Sequence, residues 1–121
     1  MHEILVVEDD PALRHLLQMT LELEGFAVTT AATGPDAVAQ ATSHHPAVML
    51  LDLELPGLDG WGVIHALDAR QVTPPVVLVT GSERRGIRAA ARQRGVPVVG
   101  KPFAIDDVLA AVERRLYDDQ E

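Results

Sequence analysis

The residues with the greatest potential for chemistry are three carboxylates, one hydroxyl and the only lysine of the chain. Each lies at the end of a run of apolar residues or just beyond it: Glu8, Asp9, Asp52, Thr80 and Lys101. Three carboxylates in one place repel one another, since a pair about 4 Å apart costs about 4 kcal/mol at an effective dielectric constant near 20. A shared proton or a hard divalent cation would relieve that repulsion, and all-oxygen ligands suit Mg²⁺, which often bridges to phosphate. These residue types therefore favour phosphoryl transfer, which depends mainly on positioning and charge neutralisation.

Asp52 is the best candidate for the nucleophile. It follows the unbroken apolar run 47–51, and Pro46 and Pro56-Gly57 bound this stretch. Such a run predicts a strand buried on both faces, and open α/β sheets bind ligands at the carboxyl ends of their strands. Asp52 would then lie between acidic metal ligands on one side and an ammonium group on the other.

The strands that must position these residues differ in polarity. The runs 4–7, 47–51 and 76–80 are apolar and predict central strands, whereas 26–30 is more polar and 96–99 contains Pro97. A polar strand and a strand with an internal proline both suit the edge of a sheet. The order 2-1-3-4-5 places the three apolar strands in the middle.

Helices are predicted between these strands. Pro11, capped by Asp10, opens the first, which ends at Gly25, and the others cover about 34–43, 61–69, 82–94 and the apolar stripe of 105–116. Alternating strands and helices give a parallel sheet covered on both faces. The predicted fold class is α/β, a doubly wound five-stranded parallel sheet of the flavodoxin-like (βα)5 type.

Length and composition exclude several classes of function. A chain of 121 residues predicts one domain over residues 1–121, and the absence of cysteine excludes disulfides, thiolate metal sites and a thiol nucleophile. The start lacks a basic leader segment, and no apolar run approaches the roughly 20 residues of a membrane span, which predicts a cytoplasmic protein without membrane contact. The net charge of −8 disfavours direct nucleic-acid binding.

Four motifs in order resemble the receiver domain of bacterial two-component response regulators. The resemblance runs nearly from end to end, through Ile4-Leu5-Val6-Val7-Glu8-Asp9-Asp10, Leu51-Asp52-Leu53-Glu54-Leu55-Pro56-Gly57-Leu58-Asp59-Gly60, Val79-Thr80-Gly81 and Lys101-Pro102-Phe103. It implies that Asp52 accepts a phosphoryl group from a histidine kinase or a histidine phosphotransfer protein. It also implies a regulatory domain rather than an enzyme, with only self-catalysed phosphotransfer and dephosphorylation.

The resemblance further assigns a role to each motif residue. Mg²⁺ would be bound directly by Asp9 and Asp52 and by the backbone carbonyl of Glu54, with Glu8 acting through water. Lys101 would pair with Asp52 or its phosphate, and Thr80 would turn inward to the phosphoryl oxygen. The Lys101-Pro102 bond is a candidate for the cis form, since cis bonds concentrate before proline.

One position departs from the family pattern. Val98 stands where the family usually carries the Tyr or Phe that accompanies the switching threonine, so the resemblance does not extend to an aromatic switch. The family delivers its output through the fourth helix, fifth strand and fifth helix, and a basic stripe of Arg84, Arg88 and Arg92 lies on that fourth helix. The stripe is either an ordinary solvated face or a docking surface for an acidic downstream partner protein or domain.

Two other functions remain open on the sequence. A pseudo-receiver would keep the fold as a binding module and never take phosphate, which the absent aromatic favours and the intact acids oppose. A Mg²⁺-dependent aspartyl-phosphate phosphatase is the other, because Asp52-Leu53-Glu54 is similar to the acid-x-acid loop of haloacid-dehalogenase enzymes. That family needs a second Asp in place of Glu54 and a substrate cap for which this length has no room.

Overall fold

Five parallel strands form one sheet in this computed structural model, which describes residues 1–81 and 85–120. The strands are β1 (Glu3–Val7), β2 (Ala27–Ala31), β3 (Val48–Asp52), β4 (Val76–Thr80) and β5 (Val98–Gly100). Their order is β2-β1-β3-β4-β5, and Leu50 of β3 lies in register with Val6 of β1 and Val77 of β4. The predicted order and the predicted edge positions of β2 and β5 are therefore confirmed.

Helices cover both faces of this sheet. They are α1 (Pro11–Leu23), α2 (Gly34–His44), α3 (Gly60–Ala69), α4 (Arg85–Arg94) and α5 (Ile105–Gln120). Side chains of α1 and α5 pack with Ile4, Val6 and Leu50 on one face, while those of α2, α3 and α4 pack with Leu5, Val7 and Leu51 on the other. Successive residues of a strand point to opposite faces, so each central strand must be apolar throughout.

Capping residues fix where the helices begin and end. Asp10 accepts the backbone N–H groups of Ala12 and Leu13, as predicted, and Thr33 caps α2, which the sequence analysis did not predict. Gly95 directly follows α4 and has a φ of +69°, in the left-handed region that stops a helix.

Three predicted boundaries are corrected. β5 begins at Val98 rather than Val96, because Pro97 has no N–H for the sheet and lies just before the strand. β2 is shifted by one residue to Ala27–Ala31, and α3 begins at Gly60. Residues 82–84, which include Arg84 and the predicted start of the fourth helix, lie outside the described residues. Within the described part of the chain, no helix has both the length and the apolar character to cross a membrane.

Candidate functional site

The turn after β1 buries one carboxylate and exposes the next. Glu8 is 2% exposed, and its Oε2 accepts the N–H of Asp10 at 3.2 Å, whereas Asp9 is exposed. The Arg14 guanidinium donates to the Glu8 carbonyl oxygen at 3.0 Å, which ties the turn to α1. β1 is therefore followed by two adjacent acids, of which Glu8 is buried and Asp9 is exposed.

Asp52 lies at the carboxyl end of β3 and is also only 2% exposed. Its Oδ1 accepts the backbone N–H of Glu54 at 2.9 Å, and Leu53 N–H donates to the Val79 carbonyl at 2.9 Å. These two bonds fix the orientation of the carboxylate and hold the first residue after β3 against β4. A buried carboxylate held in this way has its orientation fixed before any ligand binds.

Lys101 joins the two buried acids. Its Nζ lies 2.8 Å from Glu8 Oε1 and 3.0 Å from Asp52 Oδ2, and its backbone N–H donates to the Thr80 carbonyl at 2.8 Å. Burial lowers the pKa of this lysine, but hydrogen bonds and Coulomb attraction from Glu8 and Asp52 outweigh burial, so the pKa lies above its ordinary value. Lys101 is therefore charged at neutral pH. The pairing with Asp52 was predicted, whereas the shorter contact with Glu8 was not, and the bond to Pro102 is cis.

Glu8, Asp9 and Asp52 form one acidic cluster. Each offers a carboxylate oxygen, and these three oxygens lie within 4.8 Å of one another. Lys101 contributes one positive charge to this group, so the cluster is negative when its acids are ionised. All-oxygen donors with net negative charge fit a hard divalent cation such as Mg²⁺.

The hydroxyl of Thr80 has a partner that the sequence analysis missed. Thr80 is 2% exposed, and its Oγ1 donates a hydrogen bond to Glu54 Oε1 in the loop after β3. The hydroxyl is thus directed toward the β3 side, on which Asp52 lies. The position of Glu54 two residues after Asp52 was noted for its backbone carbonyl, whereas the hydrogen bond between its side chain and Thr80 was not predicted.

A hollow of about 580 Å³ opens beside the acidic cluster. It is lined by acids from two loops and by apolar residues of α3 and α4, among them Asp9, Glu54, Asp59, Trp61 and Ile87. Trp61 is the only tryptophan of the chain. Its position makes its fluorescence a local reporter of changes at the acids.

The residues predicted for signal output lie on the other side of β4. We call the surface of α4, β5 and α5 the output face. Val98 is half-buried there, and Arg88 and Arg92 are exposed one helical turn apart on α4. Ala91 is buried and Ile87 half-buried on the inner side of α4. The structure therefore separates these residues from the acidic cluster, with Thr80 between the two groups.

Comparison with known proteins identifies the family. The family model of the response regulator receiver domain matches residues 4–113. The probable transcriptional regulatory protein TcrX of Mycobacterium tuberculosis is 37% identical over 107 residues, covering 88% of this chain and 46% of that protein. The DNA-binding transcriptional regulator NtrC of Salmonella typhimurium is 33% identical over 117 residues, covering 96% of this chain and 25% of that protein. The chain thus spans about half or less of the length of these curated relatives.

Solved structures share the fold. The receiver domain of the Francisella response regulator 1452 superposes with a TM-score of 0.89 at 23% identity and 100% coverage of both chains. A CheY-like receiver domain protein from Methanospirillum hungatei JF-1 gives a TM-score of 0.90 at 24% identity, covering 99% of this chain and 97% of that one. The order of the strands is therefore that of a known architecture.

Proposed function

Because this chain belongs to the response regulator receiver domain family, we propose that it is a phosphorylation switch in which Asp52 accepts a phosphoryl group from a histidine kinase or a histidine phosphotransfer protein. The observation that carries the proposal is the Lys101 ammonium between two buried carboxylates, at 2.8 Å from Glu8 and 3.0 Å from Asp52. Such a cation balances Asp52 at rest and remains beside it when a phosphoryl group adds further negative charge.

The transfer requires no change of oxidation state. A carboxylate oxygen of Asp52 attacks the phosphorus of the donor, the P–N bond to the donor histidine breaks, and its electron pair returns to the imidazole ring. The product is an acyl phosphate on Asp52. Later attack by water would restore the carboxylate and release inorganic phosphate, so the domain acts once per phosphoryl group and serves regulation.

Mg²⁺ fits this site as the implied cofactor. Asp9, Asp52 and the backbone carbonyl of Glu54 would hold the ion, with Glu8 acting through water, and the ion would neutralise charge on the phosphoryl oxygens. The oxygens of the acidic cluster, within 4.8 Å of one another, support this assignment. Lys101 would meet the phosphoryl group from the other side of Asp52.

Thr80 would connect the acceptor to the output face. Its hydroxyl now donates to Glu54, and a phosphoryl oxygen on Asp52 would compete for the same hydrogen bond. Val98 replaces the usual aromatic partner of this threonine. Phosphorylation would therefore change the output face by shifting α4 and β5 rather than by rotating an aromatic ring. A downstream protein or domain would bind at the output face.

We propose that residues 1–121 form one receiver domain. The cytoplasmic location and the absence of membrane and direct nucleic-acid contacts remain predictions from the sequence. Names of the curated relatives describe transcriptional regulators that extend beyond the region shared with this chain. A regulatory output of the same general kind is part of the proposal.

Intact mass spectrometry tests the phosphoacceptor directly. The chain is incubated with Mg²⁺ and a small acyl phosphate, and we expect one labile adduct with the mass of a phosphoryl group. Asp52→Asn should lose the adduct entirely, because the amide is not a nucleophile at neutral pH. Asp36→Asn, which changes an exposed acid in the first turn of α2, is the matched control and should retain it.

Other outcomes identify the rival functions. No adduct from the acyl phosphate or from a competent donor kinase would identify a pseudo-receiver. Steady consumption of the acyl phosphate far beyond one equivalent per chain would identify a phosphatase. An adduct that persists in Asp52→Asn would place the acceptor elsewhere and overturn the assignment.

A further inference from the structure

The three acids of the acidic cluster are held in place in different ways. The Glu8 and Asp52 side chains both lie within hydrogen-bond distance of the Lys101 ammonium, and each also accepts a backbone N–H. Asp9 is exposed, and no group among the described residues donates a hydrogen bond to its carboxylate. The direction of the Asp9 side chain therefore depends on the backbone that carries it.

Arg14 of α1 holds that backbone on both sides of Asp9. Its Nη1 donates to the Glu8 carbonyl oxygen at 3.0 Å and to the Asp9 carbonyl oxygen at 3.4 Å. These carbonyls belong to the peptide units before and after the Asp9 Cα, so one nitrogen fixes both units. Arg14 is half-buried near the start of α1, and the Asp10 cap fixes where that helix begins. The turn that carries Asp9 is therefore tied to a regular helix.

The charge of Arg14 and its hydrogen bonds have opposite consequences for a bound cation. A guanidinium beside the acidic turn repels Mg²⁺, and it has no lone pair with which to bind the ion itself. Mg²⁺ also demands near-octahedral geometry at short ligand distances, so its affinity depends on the direction of each carboxylate that binds it. The two effects of Arg14 on Mg²⁺ affinity therefore differ in sign, and a substitution shows which one is larger.

We propose that Arg14 is a positioning residue of the Mg²⁺ site, which fixes the peptide units on both sides of Asp9 and so directs the Asp9 carboxylate at the ion. This orientation outweighs the repulsion between the guanidinium and the ion. The inference rests on the proposed function, because that function places Mg²⁺ at these acids. Groups that orient metal ligands without touching the metal change metal affinity by about 10- to 100-fold when they are removed.

Titration of the unphosphorylated chain with Mg²⁺, followed by Trp61 fluorescence and by calorimetry, tests the inference. Trp61 lines the same hollow as Asp9. Arg14→Met should weaken Mg²⁺ binding about three- to tenfold, because the lost orientation exceeds the gain from removing one positive charge. Arg14→Lys should lie between Arg14→Met and the wild type, since its ammonium can still donate to the Glu8 carbonyl. Arg70→Met, the same substitution at the exposed arginine that ends α3, should bind Mg²⁺ as the wild type does.

The Mg²⁺ dependence of phosphorylation gives a second readout. With a small acyl phosphate as donor, the Mg²⁺ concentration for half the maximal rate should rise in Arg14→Met by the same factor as the dissociation constant. The rate at saturating Mg²⁺ should stay within about twofold of the wild type, because excess ion compensates for a weaker site. Urea titration of each variant shows whether stability changes separately from Mg²⁺ affinity.

Two results would overturn the inference alone. Tighter Mg²⁺ binding by Arg14→Met would show that the arginine acts through its charge, and unchanged binding with lower stability would show that it only supports the fold. A wild type that binds Mg²⁺ more tightly than Arg14→Met but forms no Asp52 adduct refutes the phosphoacceptor alone. A wild type that binds no Mg²⁺ by either method refutes both this inference and the assignment of the ion.

Discussion

The two helices that flank β4 and the site, α3 and α4, are anchored very differently. α3 buries Val63, Ile64 and Leu67 completely, whereas Ala91 is the only buried residue of α4 among its described side chains. Burying a large aliphatic side chain contributes about 1.5–3 kcal/mol, and an alanine contributes far less. The loop from β3 to α3, which holds Asp52 in place, therefore belongs to the well-packed part of the molecule, and α4 does not.

This difference assigns distinct physical tasks to the two sides. As the proposed phosphoacceptor, Asp52 needs carboxylates and a lysine held in fixed positions, which three buried strands and α3 supply. A switch also needs an element whose position is cheap to change, and elements that move in regulation come from the weakly packed end of a structure. α4 has that character, and it carries the arginines of the output face.

Lys101→Met should have the largest effect. It should change two properties of the well-packed side in opposite directions, the rate of Asp52 phosphorylation and the affinity for Mg²⁺. Phosphorylation by an acyl phosphate should slow about a hundredfold, because a charged donor aimed at the phosphoryl group is lost. Binding of Mg²⁺ should tighten roughly tenfold, because one positive charge leaves the acidic cluster. Quantitative intact mass measures the first quantity, and Trp61 fluorescence measures the second.

Arg70→Met is the control for Lys101→Met, since it removes an exposed positive charge at the end of α3. We expect both quantities to stay at their wild-type values in it. If Lys101→Met were phosphorylated as fast as the wild type, the lysine would serve only to neutralise Glu8 and Asp52 at rest.

Paired glycine substitutions compare the packing of the two helices directly. A Cβ on Gly60 of α3 would lie 2.8 Å from the Asp52 carbonyl oxygen and 2.8 Å from Leu53 Cα, whereas a Cβ on Gly86 of α4 meets nothing within 4 Å. Gly60→Ala should lower the free energy of unfolding by about 1–3 kcal/mol, because backbone must move. Gly86→Ala should raise it by up to about 1 kcal/mol through helix propensity. Urea midpoints at unchanged m-values measure both.

Equal stability of the two alanine variants would contradict this contrast between α3 and α4. Gly60→Ala should also slow phosphorylation of Asp52, since the contact is with the backbone of that residue. Gly86→Ala should leave the phosphorylation rate unchanged and so serves as its matched control.

The sequence predicted the strands and the residues at their ends, which depend on local pattern. It did not predict the side-chain contacts, which depend on how far and in which direction a side chain extends. Continuous apolar runs located the central strands, and the polar residue at each strand end located Asp52 and Lys101. The contact of Lys101 with Glu8 was missed because the pattern does not show which neighbouring acid a flexible side chain meets. The bond between Thr80 and Glu54 joins residues 26 positions apart, and no periodicity records it.

The attachment of α4 provides a further example of what the sequence does not show. Asp68 at the end of α3 accepts hydrogen bonds from Arg94 at 2.9 and 3.2 Å, and also from Thr73. Both charged residues are exposed, and exposed charges at helix ends occur in most proteins without pairing. Only the coordinates identify this pair as the polar tie between α3 and α4.

Asp68→Asn should have the smallest effect on stability. The pH dependence of that effect identifies the ionised Asp68 carboxyl as its cause. Hydrogen bonds from Arg94 and Thr73 hold the pKa of the Asp68 carboxyl below its ordinary value. A lowered folded-state pKa stabilises the fold above the ordinary value near 4, and this contribution is lost as the pH falls through the folded-state pKa. At pH 7 the variant should be less stable by about 0.5 kcal/mol or less, since the side chains of Arg94 and Asp68 are 37% and 40% exposed.

Urea titrations of the wild type and Asp68→Asn from pH 7 down to pH 2 measure this difference, which should shrink below about pH 4 and also in high salt. Phosphorylation of Asp52 should stay within twofold of wild type, because the tie holds α4 and not the acceptor. A variant that loses several kcal/mol, or that loses phosphorylation, would show that α4 is anchored as firmly as α3. The assignment of the movable element to α4 would then be wrong.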